Sequence, residues 1–148
     1  MVSPGAGQNT GMNGIELRGV SKSFGKLEVL SDFSLGIQQG ELCCLLGPSG
    51  CGKTTALKII DGLLEADSGR VYLGGQDITD VPTQKRNLGM VFQNYALFPQ
   101  MDVYENIAYG LRRRHLPNEE IRKRVTEALD MVRLQGIEKR RTHELSGG

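Results

Sequence analysis

The stretch Gly47-Pro48-Ser49-Gly50-Cys51-Gly52-Lys53-Thr54-Thr55 brings glycines, a lysine and two hydroxyls together in the pattern G-x-x-x-x-G-K-[ST]. These residue types suit a dense anion. Gly47, Gly50 and Gly52 leave the main-chain amides bare and free to take positive φ, so several N–H groups can converge on one set of phosphate oxygens. Lys53 supplies a compact charge for the β- and γ-phosphates of a nucleotide. The Thr54 hydroxyl suits Mg²⁺, and the Thr55 hydroxyl can reach the α-phosphate. The pattern needs a strand before it and a helix after it, because a helix N-terminus adds unpaired amides and the positive end of the dipole.

The flanks meet that requirement. Leu42-Cys43-Cys44-Leu45-Leu46 reads as a buried strand and residues 56–60 as the opening of a helix, which Asp61-Gly62 begins to close. Upstream, residues 15–20 and 29–37 read as two strands joined by a turn over residues 21–26, and Gln38-Gln39-Gly40 turns the chain into the phosphate loop. Such short connections predict an antiparallel sheet. Residues 65–69 read as a loop, 70–73 as a short strand stopped by Gly74-Gly75, 76–86 as a polar surface connection, and 88–92 as a second core strand ending at Gln93.

After Gln93 the character changes. Tyr95-Ala96-Leu97-Phe98-Pro99 is an apolar, aromatic loop. Asp102 followed by Glu105 spells a capping box before Val103, Ile107, Ala108 and Leu111. Pro117-Asn118 opens another helix with Ile121, Val125, Leu129 and Val132 on one stripe, ended by Gly136. The basic runs at residues 112–114 and 139–141 read as solvated faces. No aromatic stacking pattern accompanies them, so nucleic acid is not an expected partner. His115 and His143 stand apart from any ligand set. In Leu145-Ser146-Gly147-Gly148, Ser146 has the type of a helix N-cap.

The 148 residues suffice for one domain with a core, and 18 basic against 17 acidic side chains leave the charge near balance. No apolar run approaches the ~20 residues of a membrane span. Residues 1–14 lack the basic start and apolar centre of a secretory signal and read as a disordered tail. The expected compartment is the cytosol. Cys43 and Cys44 read as small buried hydrophobes. Cys51 lies inside the loop, so alkylating it should block nucleotide binding.

The phosphate loop, Gln93 at a strand end, and Leu145-Ser146-Gly147-Gly148 occur in that order, and together they resemble the ATP-binding-cassette transporter ATPases. Val91-Phe92-Gln93-Asn94-Tyr95-Ala96-Leu97-Phe98-Pro99 is similar to the importer branch that energises uptake of polyamines, iron, sulfate or sugars. The resemblance covers residues 15–148. It implies an α/β fold: a P-loop NTPase core with an antiparallel β subdomain (residues 15–93) and a helical subdomain (94–148), cut short before the core sheet is complete.

The resemblance also implies roles. Phe24 would stack on adenine, with Val29 beside it. Ser49, Gly50, Cys51, Gly52, Lys53, Thr54 and Thr55 would hold the phosphates, and Thr54 and Gln93 the Mg²⁺, with Lys53 and Gln93 serving the chemistry. Ser146 and Gly148 would contact the nucleotide of a second ATPase subunit, head to tail. The loop at Tyr95 to Pro99 would dock an integral membrane permease, leaving the protein peripheral on the inner face of the cell membrane. The family pattern continues to a strand ending in Asp-Glu and a later histidine. No residue here takes those roles, so ATP binding without turnover is the alternative expectation.

Overall fold

Two strands of equal length come first among the described residues. The structure, a computed structural model, describes residues 13–93 and 95–145. Strand β1 (Asn13–Phe24) and strand β2 (Leu27–Gln38) pair antiparallel from Asn13↔Gln38 to Phe24↔Leu27. β1 therefore extends through the expected turn at residues 21–26, and only Gly25 and Lys26 remain to reverse the chain. Gly25 takes φ +61, the left-handed conformation a two-residue hairpin needs. Strand β3 (Ser68–Leu73) pairs antiparallel with β1, and the short β4 (Gln76–Asp77) with β3, giving a sheet of order β2-β1-β3-β4. The antiparallel reading of the first two strands holds.

Helix α1 (Lys53–Asp61) packs Ala56, Ile59 and Ile60 into one core with Leu17, Val20, Leu30, Val71 and Ile78. It ends on Gly62 at φ +80, whose amide reaches the Ile59 and Lys58 carbonyls, as the Asp61-Gly62 pair suggested.

Four sequence expectations in this half are corrected. Residues 42–46 form no strand, and Leu42 and Leu46 are 90% and 91% exposed. Residues 88–92 form none either, with Val91 at 94% exposure. Both runs have the composition of a buried strand, but a strand exists only through its ladder, and among the described residues neither run has a paired neighbour. For the same reason Cys43 is only half-buried and Cys44 is exposed. The supposed surface connection at 76–86 contains β4 and a short helix α2 (Thr83–Arg86), and it ends on a buried arginine.

The chain divides into two compact units, Met1–Met90 and Val91–Gly148. In the second, helix α3 (Val103–Arg113) begins with the capping box the sequence spelled. The Glu105 amide donates to Asp102 Oδ1 at 2.7 Å and the Asp102 amide to Glu105 Oε2 at 3.2 Å. Helix α4 (Asn118–Met131) packs Ile121, Val125 and Leu129 against Val103 and Ala108. It stops at Met131 rather than near Gly136, and Val132, left 59% exposed at the C-cap, drops off the expected stripe. The basic runs and both histidines are exposed, as read. Among the described residues no helix is long and apolar enough to cross a membrane.

Candidate functional site

The loop before α1 is shaped by its glycines. Gly47, Gly50 and Gly52 take φ of +156, +82 and +92. Gly52, the N-cap of α1, also lies hard against β2. A Cβ there would stand 2.7 Å from Leu30 Cδ2 and 2.9 Å from the Val29 carbonyl oxygen. The loop is thereby seated directly on β2 at Val29, a residue the family resemblance placed beside the nucleotide. At Gly47 a Cβ would come within 2.6 Å of the Cys51 sulfur, so the exposed Cys51 folds back across the loop's entrance.

Lys53 does not extend into solvent. Its Nζ donates to the Gly47 carbonyl at 2.8 Å and the Pro48 carbonyl at 2.7 Å, and approaches Cys51 Sγ at 3.4 Å. The ammonium is thus held by the loop's own carbonyls. The Ala56 amide closes the first helical bond to Gly52 at 2.8 Å, which leaves the amides of Gly52 to Thr55 without a partner among the described residues. No acidic residue occupies the first turn, and no side chain caps it. The Ser49, Thr54 and Thr55 hydroxyls engage no described residue. Chemically this is a run of unpaired main-chain N–H groups at a helix N-terminus with one ammonium beside it, an arrangement suited to an anion.

Phe24 ends β1 and is 50% exposed. Lys22 Nζ stands over its ring, 5.9 Å from the centroid. Asp67, just before β3, accepts from Lys22 Nζ at 2.6 Å and from the Ser23 amide at 2.7 Å. The Lys22 hydrogen bond, then the Ser23 amide, hold the Asp67 carboxyl below the usual aspartate range.

Behind the loop, Arg86 closes the other end of α1. Its guanidinium donates to the carbonyls of Ile59 and Ile60, each at 2.8 Å, and to those of Val81 at 2.7 Å and Thr79 at 2.8 Å. Burial pushes its pKa down, the charges of Asp61 and Asp80 push it up, and an arginine remains a cation throughout.

Gln93 belongs to the second unit, where it is exposed in a turn rather than at a strand end. Ser146 and Gly148 lie outside the described residues. In the aromatic loop, Tyr95 and Ala96 take φ of +60 and +51, and Tyr95 and Leu97 are exposed. Phe98 and Tyr109 pack ring to ring at 4.6 Å. Asn106 pins this loop to α3: Oδ1 accepts from the Phe98 amide at 2.9 Å, and Nδ2 donates to the Phe98 carbonyl at 3.2 Å and the Asp102 carbonyl at 2.9 Å.

Asp67, Arg86 and Asn106 escaped the sequence reading. Asn106 had a signal, since it follows the N-cap by one helical turn. A single acidic or basic residue in a polar stretch carries none.

The family model described as ABC transporter matches residues 30–148. The chain is 54% identical over 134 residues to the spermidine/putrescine import ATP-binding protein PotA of Haemophilus influenzae (strain 86-028NP), covering 90% of this chain and 36% of that protein. It is 53% identical over 139 residues to the protein of the same name in Acidothermus cellulolyticus, covering 91% and 36%. The chain thus spans little more than a third of the curated relatives it matches. Among solved structures, the dimeric MJ0796, a bacterial ABC transporter cassette, superposes with TM-score 0.81 at 31% identity, covering 90% of this chain and 63% of that one. Its post-hydrolysis state bound to ADP and Pi gives 0.80 at the same identity and coverage. The fold is that of a P-loop NTPase, with a mixed α/β core, an antiparallel sheet and helical elements.

Proposed function

Because the chain belongs to the ABC transporter family, on the importer side of it, we propose that it is the ATP-binding part of an importer subunit. It binds MgATP at Gly47 to Thr55 and, in the full-length protein, couples hydrolysis to solute uptake. The observation that carries this reading is the loop itself: an ammonium held by the Gly47 and Pro48 carbonyls, beside unpaired amides at the start of a nine-residue helix with no carboxylate in its first turn. Its match to relatives named for spermidine and putrescine import supports the importer branch. The solute is chosen by a membrane subunit and its binding protein.

Each residue then has a task. The amides of Gly50 to Thr55, with Ser49 and Cys51 on the rim, take the phosphate oxygens, and Lys53 exchanges the Gly47 and Pro48 carbonyls for the β- and γ-phosphates. Phe24 stacks on the adenine and Val29 flanks it. The metal fits this donor set as a guest of the nucleotide. No group of three or more His, Cys, Asp or Glu side chains that could hold a metal exists among the described residues; the Thr54 hydroxyl is unengaged there and, with Gln93, would hold an Mg²⁺ brought by the nucleotide phosphates. Bound there, the ion would neutralise charge developing on the phosphates. Gln93 serves the attacking water, and Ser146 and Gly148 reach the nucleotide of a second subunit. The exposed aromatic loop pinned by Asn106 supports docking of a membrane permease, and with it a position at the cytoplasmic face of the membrane.

The second reading is a nucleotide-binding module that holds ATP without turnover. A fluorescent-ATP titration paired with a phosphate-release assay tests both. Lys53→Ala should weaken binding by about tenfold or more, the scale of a lost charge-assisted hydrogen bond. Unchanged affinity overturns the loop assignment. Phosphate release that Lys53→Ala abolishes overturns the binding-only reading and favours turnover.

A further inference from the structure

Asp67 grips three consecutive residues of β1. Its own amide donates to the Ser21 carbonyl at 2.9 Å. Its carboxylate takes the Ser23 amide on one oxygen, at 2.7 Å, and Lys22 Nζ on the other, at 2.6 Å. The next residue is Phe24. The grip depends on a close approach two residues further on. Gly69 sits at φ +91 where a Cβ would meet the Gly19 carbonyl oxygen at 2.5 Å and Val20 Cα at 2.6 Å, so β3 starts flush against the backbone of β1.

The ladder is irregular on the way to this end of β1. The β1–β2 register shifts between Val20 and Lys22 and again between Lys22 and Ser23, and β1–β3 pairing is irregular between Arg18 and Ser21. A strand that slips by one residue turns its side chains to the opposite face. The residue just beyond these irregularities is the half-exposed aromatic, and besides their β2 partners Leu30 and Glu28 the Lys22 and Ser23 positions are held by the Asp67 carboxylate. The Lys22 side chain is itself largely buried, and its ammonium stands over the Phe24 ring. One ring face is thus taken by a cation whose position is set by Asp67.

We infer that Asp67 is a positioning residue for the nucleotide base: it locks Lys22 and Ser23 so that Phe24 presents its remaining face to adenine. This rests on the proposed stacking role of Phe24. The grip on the base then depends in part on the loop that links α1 to β3, through a residue argued to act on Phe24 rather than on the nucleotide.

Inorganic tripolyphosphate carries the phosphates without the base, and it separates positioning from general structural support. Calorimetric titrations of the 148-residue chain with ATP and with tripolyphosphate, both with Mg²⁺, would be run on wild type, Asp67→Asn, Asp67→Ala and Phe24→Ala. Both Asp67 variants should weaken ATP by about fivefold or more, the scale of one base–aromatic stack, and leave tripolyphosphate unchanged. Parallel loss of both ligands would mean that Asp67 merely supports the fold, and the inference falls. Unchanged ATP affinity in the Asp67 variants, with ATP weakened in Phe24→Ala, overturns the inference and spares the stacking role. Unchanged ATP affinity in Phe24→Ala overturns the stacking role, and the inference with it.

Discussion

Gly50 and Gly52 both stand at positive φ in the phosphate loop, yet they do different work. A Cβ at Gly50 would meet open space, whereas one at Gly52 would collide with Leu30 and the Val29 carbonyl. Gly50→Ala therefore carries backbone strain alone, about 1–2 kcal/mol, while Gly52→Ala adds displacement of the loop from β2 and should exceed it. Thermal melts of the two variants check the order, and a larger loss at Gly50 would contradict it. Asp67 makes a pH prediction. Its folded pKa lies below its unfolded one, so its contribution to stability is complete above the ordinary aspartate value of about 3.9 and is lost as pH falls through the lower folded value. The groups facing it are the Lys22 ammonium and the Ser23 amide. The melting temperatures of wild type and Asp67→Asn should differ at pH 7 and converge below about pH 4.

At the scale of elements, α1 is fastened at both ends. Its N-terminus rests on β2 through a glycine, and its C-terminus is held by Arg86, which gathers four carbonyls from α1 and the segment leading into α2. Arg86→Leu strands those oxygens in a buried place and should lower stability by about 2–4 kcal/mol in urea denaturation. Arg86→Lys should recover only part of this, because an ammonium cannot span acceptors that a planar fork reaches together. Full recovery by lysine would show that charge, not fork geometry, holds the helix. The capping box at Asp102 and Glu105 was readable because its partners are three residues apart. Arg86 was not, because its partners lie up to 27 residues away.

Across the whole molecule, each unit has its own apolar core; neither takes in residues 42–46, and of residues 88–92 only Leu88 packs against one. Leu42, Leu46 and Val91 are almost wholly exposed. The chain should therefore bind the apolar dye ANS under native conditions. Leu42→Ser with Leu46→Ser should reduce that signal without lowering the melting temperature, since neither side chain is buried. A lowered melting temperature would show that these residues pack in solution.

The amino-acid order alone determined whatever depends on near neighbours. The phosphate loop, the Gly62 stop, the Asp102–Glu105 box, the stripe of α4 and the first hairpin all follow from residue types within a few positions of one another, where spacing is geometry. It also carried enough ordered motif to point to the family. Tertiary structure decided the rest: that residues 42–46 and 88–92 lack a ladder, that Arg86 is buried, and that Asp67 grips β1. Pairing and burial belong to the partner as much as to the residue. A hydrophobic run states only that it can be covered, and a lone charge says nothing of where its counterpart will be folded.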